Sequence, residues 1–340
     1  MKDFLSRAAL RRGAARCAPW LMAASLLAGC AASGRDAPYR LDLEAHRGGR
    51  ALAPENTLTA FSNAVGIGVT TLELDIGLTA DGVVVISHDM ALNPDHTRDA
   101  TGAFLKGKGP PIHALTLAQL QTYDVGRIDP ASSYGKPFPH QVPHDGERIP
   151  TLAALFERMH QLGANQVRFN IETKVDPTQP DLTAAPEPMV RALLAEIDRA
   201  GVASRVTIQS FDWRTLALVG QWAPQLPRAY LTSARTVQDS RWTAGLRLED
   251  AGSPPKLVRK AAGDGKGMVV WSPSFNDLSA PLVQEAHVLG LQVLPWTVDR
   301  RADMERLMDW GVDGIITDDP VLLREVMSDR RIALPAALGR

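Results

Sequence analysis

Seven side chains able to do catalysis lie in four short segments of the 340-residue sequence. They comprise three carboxylates, two imidazoles and two basic groups: His46, Arg47, Glu73, Asp75, His88, Glu172 and Lys174. Glu73 and Asp75 are two residues apart, so on a strand both side chains point to the same side, and Glu172 and Lys174 share this spacing. Carboxylates that converge without a partner repel one another, and a cation between them removes that cost.

The mixture of groups indicates which cation and which substrate such a site would take. Carboxylates in the majority, with two histidines and no cysteine, favour a hard divalent cation, Ca²⁺ or Mg²⁺, over structural zinc. A cation flanked by Arg47 and Lys174 suits an anionic substrate such as a phosphate ester. His46 and His88 can then share general-base and general-acid work. The alternative role for Lys174, a Schiff-base amine, would not need three carboxylates around a cation.

Short apolar runs alternate with amphipathic segments from residue 41 onward. Eight candidate strands occupy 41–45, 71–76, 167–172, 205–209, 227–232, 268–272, 291–296 and 313–317. Helical spacing precedes Gly201, an expected C-cap, and follows Asn56, an expected N-cap. The alternation predicts an α/β fold, a (β/α)8 TIM barrel, whose strand ends would bring the seven side chains to one mouth. A doubly wound open sheet is the alternative, although no glycine-rich nucleotide-binding motif follows the first strand.

Two segments depart from this alternation. Asp81-Gly82 between two β-rich runs predicts a hairpin after the second strand. Residue 75 would then pair near residue 87, and His88 would return beside Asp75. The next stretch, about 89–150, is rich in proline and contains no convincing barrel unit. We therefore expect it to be an insertion over one end of the barrel. Loops of this length are usually functional.

The order of the short motifs along the chain is more specific than any one of them. They are HRG (46–48), PENT (54–57), ELD (73–75), HD (88–89), NIETK (170–174), QSF (209–211), WTVD (296–299) and DGIITD (313–318). From about residue 44 to 328 this set resembles the glycerophosphodiester phosphodiesterase family. The resemblance implies hydrolysis of glycerophosphodiesters to sn-glycerol 3-phosphate and an alcohol, with one divalent cation.

The resemblance also implies a role for each residue that matches a family motif. His46 and His88 would be the acid/base pair, and Arg47 and Lys174 the phosphate contacts. The metal ligands would be Glu73, Asp75 and Glu172. Asp299 departs from the family, which usually has Asn after WTV, and this changes the hydrogen-bonding groups available there.

Other residues near the motifs receive lesser roles. We expect Glu55 to be a partner of Arg47 or of a histidine, and Trp296 and Phe211 to form walls of the substrate site. Asp318 and Asp319 are expected to begin the last helix. The remaining histidines, including His96, His113, His140 and His144, are expected in loops or on the surface.

Residues 1–29 have the features of an export signal. Five basic residues precede an apolar stretch from Ala18 to Leu27, which is about ten residues and too short to span a bilayer. Leu27-Ala28-Gly29-Cys30 resembles the lipobox of bacterial lipoproteins, in which Cys30 receives the lipid and becomes the first residue. An ordinary signal peptide is the alternative. Residues 30–40 are then a tether, 41–328 the catalytic barrel domain and 329–340 a C-terminal tail.

Composition limits the partners and the compartment. Apolar residues at 45% supply a core and exclude disorder over most of the chain, and a formal charge of −1 gives no basic excess for nucleic acid. Without residues 1–29 the charge is −5 and Cys30 is the only cysteine, so no disulfide can form within the chain.

We expect an exported protein, lipid-anchored in the cell envelope and facing the periplasm. By resemblance to other lipoproteins, Ala31 after Cys30 favours the outer membrane. A small diester and the membrane are the expected partners, and no protein partner is implied.

Three hypotheses about function follow, in order of support. The first is a metal-dependent glycerophosphodiester phosphodiesterase. The second is a phospholipase D-like or lysophospholipase D-like enzyme on lipid substrates, which would need a wide apolar groove under the 89–150 insertion. The third is a surface lipoprotein that binds ligands without catalysis, which predicts loss of some site residues, and none is missing.

Overall fold

A computed structural model of the chain describes residues 40–338. Nine strands form one sheet: β1 (Asp42–Ala45), β2 (Thr71–Leu78), β3 (Val84–Ile86), β4 (Arg168–Thr173), β5 (Val206–Ser210), β6 (Arg228–Thr232), β7 (Val269–Pro273), β8 (Gln292–Val293) and β9 (Gly314–Thr317). The predicted export signal and Cys30 lie outside the described residues. Within 40–338, no helix combines the length and apolarity needed to cross a bilayer.

The strands form a ring of parallel neighbours. Their order is β8-β7-β6-β5-β4-β2-β1-β9, and β3 pairs antiparallel with β2. Asp313 N donates to Val293 O at 2.9 Å and Ile316 N donates to Pro295 O at 3.0 Å, so β9 is also bonded to the chain around β8. The first and last strands of an open sheet do not meet in this way. The (β/α)8 barrel is therefore confirmed, and the doubly wound alternative is wrong.

Helices cover the outside of the ring. They are α1 (Leu58–Ile67), α2 (Leu117–Leu120), α3 (Leu152–Gln161), α4 (Pro186–Ala200), α5 (Trp213–Trp222), α6 (Ala234–Val237), α7 (Leu248–Ala251), α8 (Pro254–Ala262), α9 (Ala280–Val288), α10 (Arg301–Asp309) and α11 (Pro320–Asp329). Gly201 ends α4 with a φ of +65°, which confirms the predicted cap. Downstream of α11, Leu338 N donates to Val65 O, so the last described residue lies against α1.

The start of α1 differs from the prediction. Its N-cap is Thr57, whose hydroxyl accepts from Ala60 N at 3.1 Å, and not Asn56. Asn56 has a φ of +57° and its amide donates to Asp75 Oδ2 at 3.1 Å. The asparagine is therefore used by the site, and the capping role passes to the next hydroxyl residue.

The predicted strand at 291–296 is also shorter in the structure. Regular pairing stops after Val293, although Trp296 N still donates to Pro273 O at 3.1 Å. Leu294 N and Trp296 N donate to β7, so Pro295, which has no N–H, removes a donor on the side of β9. The apolar pattern alone did not show this break.

The hairpin has the predicted register. Ile76 pairs with Ile86, and Ser87 N donates to Asp75 O at 2.9 Å, so His88 follows directly beside the end of β2. The next segment, 89–150, has only α2 and one 3₁₀ turn as helices. It forms its own small apolar cluster, which includes Val85, Leu120 and Ile149. This apolar cluster is separate from the main core, so the segment packs over the barrel without contributing to the barrel's own core.

The barrel interior has an apolar side and a polar side. On and beside β6 to β9, four apolar residues form a cluster apart from the outer core: Ala229, Val270, Leu294 and Ile316. On β1, β2, β4 and β5 the corresponding positions carry hydrogen-bonding groups: Glu44, Glu73, Asn170 and Gln209. The polar side ends at the carboxyl ends of the strands, where the candidate site lies.

Candidate active site

Three buried carboxylates meet at the carboxyl ends of β2 and β4. One oxygen from each of Glu73, Asp75 and Glu172 lies within 4.8 Å of the others. The parallel register produces this arrangement, because Asp75 is paired with Glu172 across the two strands and Glu73 is two residues before Asp75. The sequence-based prediction that these groups converge is confirmed.

The shifts in pKa indicate that full ionisation of the three buried carboxyl groups is unfavourable without a cation. Burial and the neighbouring Asp75 raise the pKa of Glu73 well above its usual range. Burial raises the pKa of Glu172 to about 7, although Lys174 opposes the shift. Burial would also raise the pKa of Asp75, but His88, Lys174 and Arg47 outweigh it and hold that pKa well below its usual range. Asp75 therefore ionises more readily than either neighbouring glutamate.

One atom of this cluster lacks a partner that a cation would supply. Asp75 Oδ1 is buried and accepts no hydrogen bond from any residue in 40–338. Buried polar atoms are normally satisfied, so an exception needs an explanation. An oxygen-rich donor set with one free lone-pair acceptor fits a hard cation such as Ca²⁺ or Mg²⁺. The three carboxylates could therefore hold a metal ion.

Two cationic side chains flank the carboxylates. Lys174 Nζ lies 2.9 Å from Glu172 Oε1 and 3.6 Å from Asp75 Oδ1. Arg47 Nε lies 3.4 Å from Asp75 Oδ2, and its Nη1 donates to Glu55 Oε1 at 2.9 Å. The expected contact between Glu55 and Arg47 is therefore present. The side chains of Arg47 and Lys174 are both positioned to contact an anion bound at the carboxylate cluster.

The backbone at Arg47 is held in an unusual conformation. Arg47 has a φ of +51°, which costs a residue with a side chain about 1 kcal/mol or more. Its N–H donates to Glu73 Oε2 at 2.9 Å. At Gly48, with a φ of +82°, a Cβ would lie 2.9 Å from that of Ala60. Glycine therefore lets this turn pack against α1, which fixes the direction of the Arg47 side chain.

His46 is oriented by a residue that the sequence analysis assigned to a helix start. Asp318 Oδ1 lies 2.5 Å from His46 Nδ1 and accepts from Arg50 Nε at 2.8 Å. Burial would raise the pKa of Asp318, but His46 and Arg50 lower it to about 2, so Nδ1 is the donor. The helix-start prediction is right for Asp319, which accepts from Leu322 N. It is wrong for Asp318, because β9 lies beside β1 and places this side chain next to His46.

His88 has a carboxylate partner of its own. Its Nδ1 lies 3.2 Å from Asp89 Oδ1, and His96 Nε2 lies 3.2 Å from Asp89 Oδ2. Burial, with Arg47 and Lys174, lowers the pKa of His88 to about 4, although Asp75 and Asp89 oppose the shift. His96 is a loop residue, as expected, but its ring faces the site.

The 89–150 insertion contributes a tyrosine to the site. Tyr134 Oη donates to Glu55 Oε2 at 2.6 Å and accepts from Arg47 Nη1 at 2.9 Å and from Arg50 Nη1 at 3.0 Å. Burial and Glu55 raise the pKa of this phenol well above its usual value. Tyr134 therefore fixes both guanidinium groups. No motif pointed to it, because the path of a long proline-rich loop cannot be derived from periodicity.

Asp299 makes the hydrogen bonds that an asparagine could also make. Its Oδ1 accepts from Asp318 N at 2.8 Å and from Thr317 Oγ1 at 3.1 Å. Desolvation of the carboxyl and the nearby Asp318 raise the pKa of Asp299 to about 6, although the residue as a whole is more than a third exposed. The departure from the family therefore leaves these bonds intact and adds a titratable group near His46.

Gln209 forms a hydrogen bond to Glu73 inside the barrel. Its Nε2 donates to Glu73 Oε1 at 2.6 Å, and its Oε1 accepts from Asn170 Nδ2 at 3.2 Å. Asn170 Nδ2 also donates to Glu44 Oε2 at 2.8 Å. Both oxygens of Glu73 are thus held by hydrogen bonds, which limits the rotation of this carboxylate.

A cavity of about 270 Å³ opens beside the carboxylates. Its walls include His88, Glu172 and Lys174, and also Phe211 and Trp296. The last two rings pack edge to face with centroids 5.4 Å apart. The structure therefore places both predicted aromatic residues on the wall of a cavity next to the carboxylates.

The parallel (β/α)8 barrel carries buried carboxylates, two histidines and two cationic side chains at the carboxyl ends of its strands. This is the architecture of an enzyme that acts on an anionic substrate. Residues 46–322 match the glycerophosphoryl diester phosphodiesterase family. The chain belongs to this family, and it is an enzyme of the glycerophosphodiester phosphodiesterase class.

Individual relatives agree with this assignment. The chain is 33% identical over 279 residues to a glycerophosphodiester phosphodiesterase of Caldanaerobacter subterraneus subsp. tengcongensis, covering 82% of this chain and 94% of the relative. A solved structure from Silicibacter pomeroyi DSS-3, assigned to the glycerophosphoryl diester phosphodiesterases, has a TM-score of 0.78 at 35% identity, covering 87% and 96% of the two chains. An Oleispira antarctica phosphodiesterase solved with its product sn-glycerol-3-phosphate has the same fold, with a TM-score of 0.61, 24% identity, and 84% and 96% of the chains covered.

Proposed function

We propose that this protein hydrolyses small glycerophosphodiesters to sn-glycerol 3-phosphate and an alcohol, with one divalent cation. The observation that carries the proposal is the meeting of three buried carboxylates, two cationic side chains and two histidines at one mouth. The Oleispira relative with bound sn-glycerol-3-phosphate supports the same product.

In this proposal Glu73, Asp75 and Glu172 hold Ca²⁺ or Mg²⁺. When bound, such a cation neutralises charge on the phosphoryl oxygens and lowers the barrier to displacement at phosphorus. Arg47 and Lys174 donate hydrogen bonds to the same phosphoryl group. Tyr134 and Glu55 keep Arg47 in position, and Glu172 and Asp75 keep Lys174 in position.

The two histidines share the proton transfers. One imidazole takes a proton from the attacking oxygen, and the other donates a proton to the leaving alcohol. Asp318 and Asp89 orient the rings through Nδ1, which leaves each Nε2 available to the substrate. This arrangement separates the ring nitrogen that binds protein from the one that reacts.

The cavity supports a deacylated substrate over a lipid. Its volume of about 270 Å³ is just below the usual range of ligand pockets, about 300–1,000 Å³. It corresponds to roughly nine water molecules at about 30 Å³ each. A phospholipid would place acyl chains outside this volume, so the phospholipase D-like alternative has less support.

Release of sn-glycerol 3-phosphate tests this function directly. A coupled assay with glycerol-3-phosphate dehydrogenase should detect the product from glycerophosphoethanolamine in Mg²⁺ or Ca²⁺. It should detect none after EDTA treatment, because the carboxylates would then lack their cation. Release of the head-group alcohol from lysophospholipids alone, or no product from any diester under either condition, would contradict the proposal.

Asp318→Asn should move the pH profile of the enzyme. Burial lowers the pKa of His46, and Asp318 opposes this shift, so loss of the carboxylate lowers that pKa further. The limb of the kcat/KM profile that belongs to His46 should therefore move to lower pH. We expect kcat to fall roughly 10- to 100-fold, the worth of one hydrogen bond to a charged group.

Asp319→Asn is the matched control for this prediction. It makes the same change one residue away, and asparagine is as good an N-cap for α11 as aspartate. Its pH profile should overlay that of the wild type. A profile of Asp318→Asn that keeps both limbs in place would show that Asp318 does not act through His46.

We also propose that the protein is exported and anchored by lipid at Cys30, in the outer membrane and facing the periplasm. The Leu27-Ala28-Gly29-Cys30 sequence supports this proposal. Mass spectrometry of the membrane fraction should find a lipid-modified Cys30 at the N-terminus, and Cys30→Ala should remain unlipidated. A mature wild-type protein that begins at another residue would contradict the anchor and leave the proposed chemistry intact.

A further inference from the structure

The cavity beside the carboxylates extends to a segment that has no role in the proposed mechanism. This segment, residues 233–247, follows β6 and contributes Arg235 and Trp242 to the cavity wall. Phe211 lies edge-on to both neighbouring rings, 6.3 Å from Trp242 and 5.4 Å from Trp296 between centroids. The three rings give the cavity a continuous aromatic surface.

All but one of the ionisable groups on this wall have a partner. Glu172 and Lys174 pair with each other at 2.9 Å, and His88 lies against Asp89. Asp176 Oδ1 accepts from Thr178 N at 2.7 Å and Oδ2 accepts from Gln179 Nε2 at 3.1 Å.

Arg235 is the exception on this wall. Its side chain is exposed at the cavity and makes no hydrogen bond or ion pair with any residue between 40 and 338. A guanidinium has five donors in a planar fork that matches carboxylate and phosphate groups. The wall therefore presents one unmatched cation to whatever enters the cavity.

We infer that the cavity receives the alcohol part of the diester, and that Arg235 binds an anionic group carried by that alcohol, a carboxylate or a second phosphate. This inference rests on the proposed function. The glycerol part of the substrate has no anionic group, so glycerol in this cavity would leave Arg235 unmatched. A quaternary ammonium group would meet a like charge, although the aromatic surface alone would suit it. Arg235 thus determines which alcohol is preferred.

Two matched pairs of substrates test the inference. Glycerophosphoserine and glycerophosphoethanolamine differ by one carboxylate, whereas glycerophosphoglycerol with and without a terminal phosphate differ by one phosphate. For each pair we define selectivity as kcat/KM of the more anionic member divided by that of the other. Wild-type enzyme should show selectivity above one for at least one pair, and that pair identifies the anionic group.

Arg235→Gln should lower that selectivity roughly 10- to 100-fold, the effect of losing hydrogen bonds to a charged group. Arg235→Lys should recover part of it, because the charge remains and the planar fork is lost. Arg241→Gln is the matched control, since Arg241 lies on the same segment and pairs with Asp239. Its selectivity should equal that of the wild type. Selectivity in Arg235→Gln within twofold of the wild type for both pairs, or an equal loss in Arg241→Gln, would overturn the inference.

Failure of the proposed function gives a different result. If the wild type supplied with Mg²⁺ or Ca²⁺ hydrolyses none of the four diesters, the proposed reaction is wrong. Equilibrium binding of the same pairs, measured by calorimetry on the unreacting protein, then decides the role of Arg235. Tighter binding of the anionic member that Arg235→Gln abolishes supports the site, and equal binding of both members overturns it.

Discussion

Asp75→Asn should lower kcat/KM for a glycerophosphodiester by roughly 10³-fold, because catalysis by a bound cation is worth several kcal/mol at about 1.4 kcal/mol per factor of ten. Asp75 has the buried oxygen without a hydrogen-bond partner, and its carboxyl ionises more readily than those of Glu73 and Glu172. An amide at this position keeps the size of the side chain and removes its charge. The loss should therefore appear as weaker binding of the cation and not as a misfolded protein.

A thermal unfolding experiment separates these two explanations. Saturating Ca²⁺ or Mg²⁺ stabilises a protein that binds it by about 2.7 kcal/mol at one hundred times Kd. The wild type should show this shift and Asp75→Asn should not, while the two melt cooperatively without metal. Glu44→Gln, which alters a buried carboxyl deeper in the barrel, should keep the shift. A full metal-dependent shift and full activity in Asp75→Asn would rule out Asp75 as a ligand.

The parts of the site that the sequence predicted are those fixed by strand periodicity. Glu73 and Asp75 share one face because side chains alternate along β2, and the Asp81-Gly82 turn sets the register that returns His88 beside them. These constraints act over a few residues and need no knowledge of the rest of the fold. For the same reason the eight barrel strands could be located from short apolar runs.

The partners of the site residues could not be found in the same way. Asp318 meets His46 only after the barrel has closed, across 272 positions of the chain. Closure places β9 beside β1, so a model of the barrel could have shown that the residues after these two strands face each other. Tyr134 depends on the path of an insertion that lacks regular elements, and no local pattern specifies that path. Arg235 was missed because a single cation after a strand has no distinguishing spacing.

His46→Ala and His88→Ala should each lower kcat by roughly 10²- to 10⁴-fold, the usual worth of general acid–base catalysis. KM should change less, because Arg47 and Lys174 still bind the phosphoryl group. The double variant should lose little more than the worse single variant, because either loss breaks the same proton relay. His287→Ala is the control, since His287 is partly exposed on α9 and pairs with Asp313 at the opposite end of the barrel. Its kcat should match that of the wild type.

A modified substrate distinguishes two ways in which the histidines could work. A glycerophosphodiester carries a hydroxyl on the carbon next to the one that bears the phosphate ester. Attack by this hydroxyl on phosphorus would expel the alcohol and give a cyclic phosphate that water then opens. The first histidine would accept the hydroxyl proton, the second would protonate the alcohol, and the roles would reverse for the water. If this route operates, a substrate with that hydroxyl methylated should bind with a similar Kd and resist cleavage. Hydrolysis of the methylated substrate at the parent rate would instead require direct attack by water. His46 or His88 would then deprotonate that water, and both variants would still lose activity, because each mechanism needs one base and one acid.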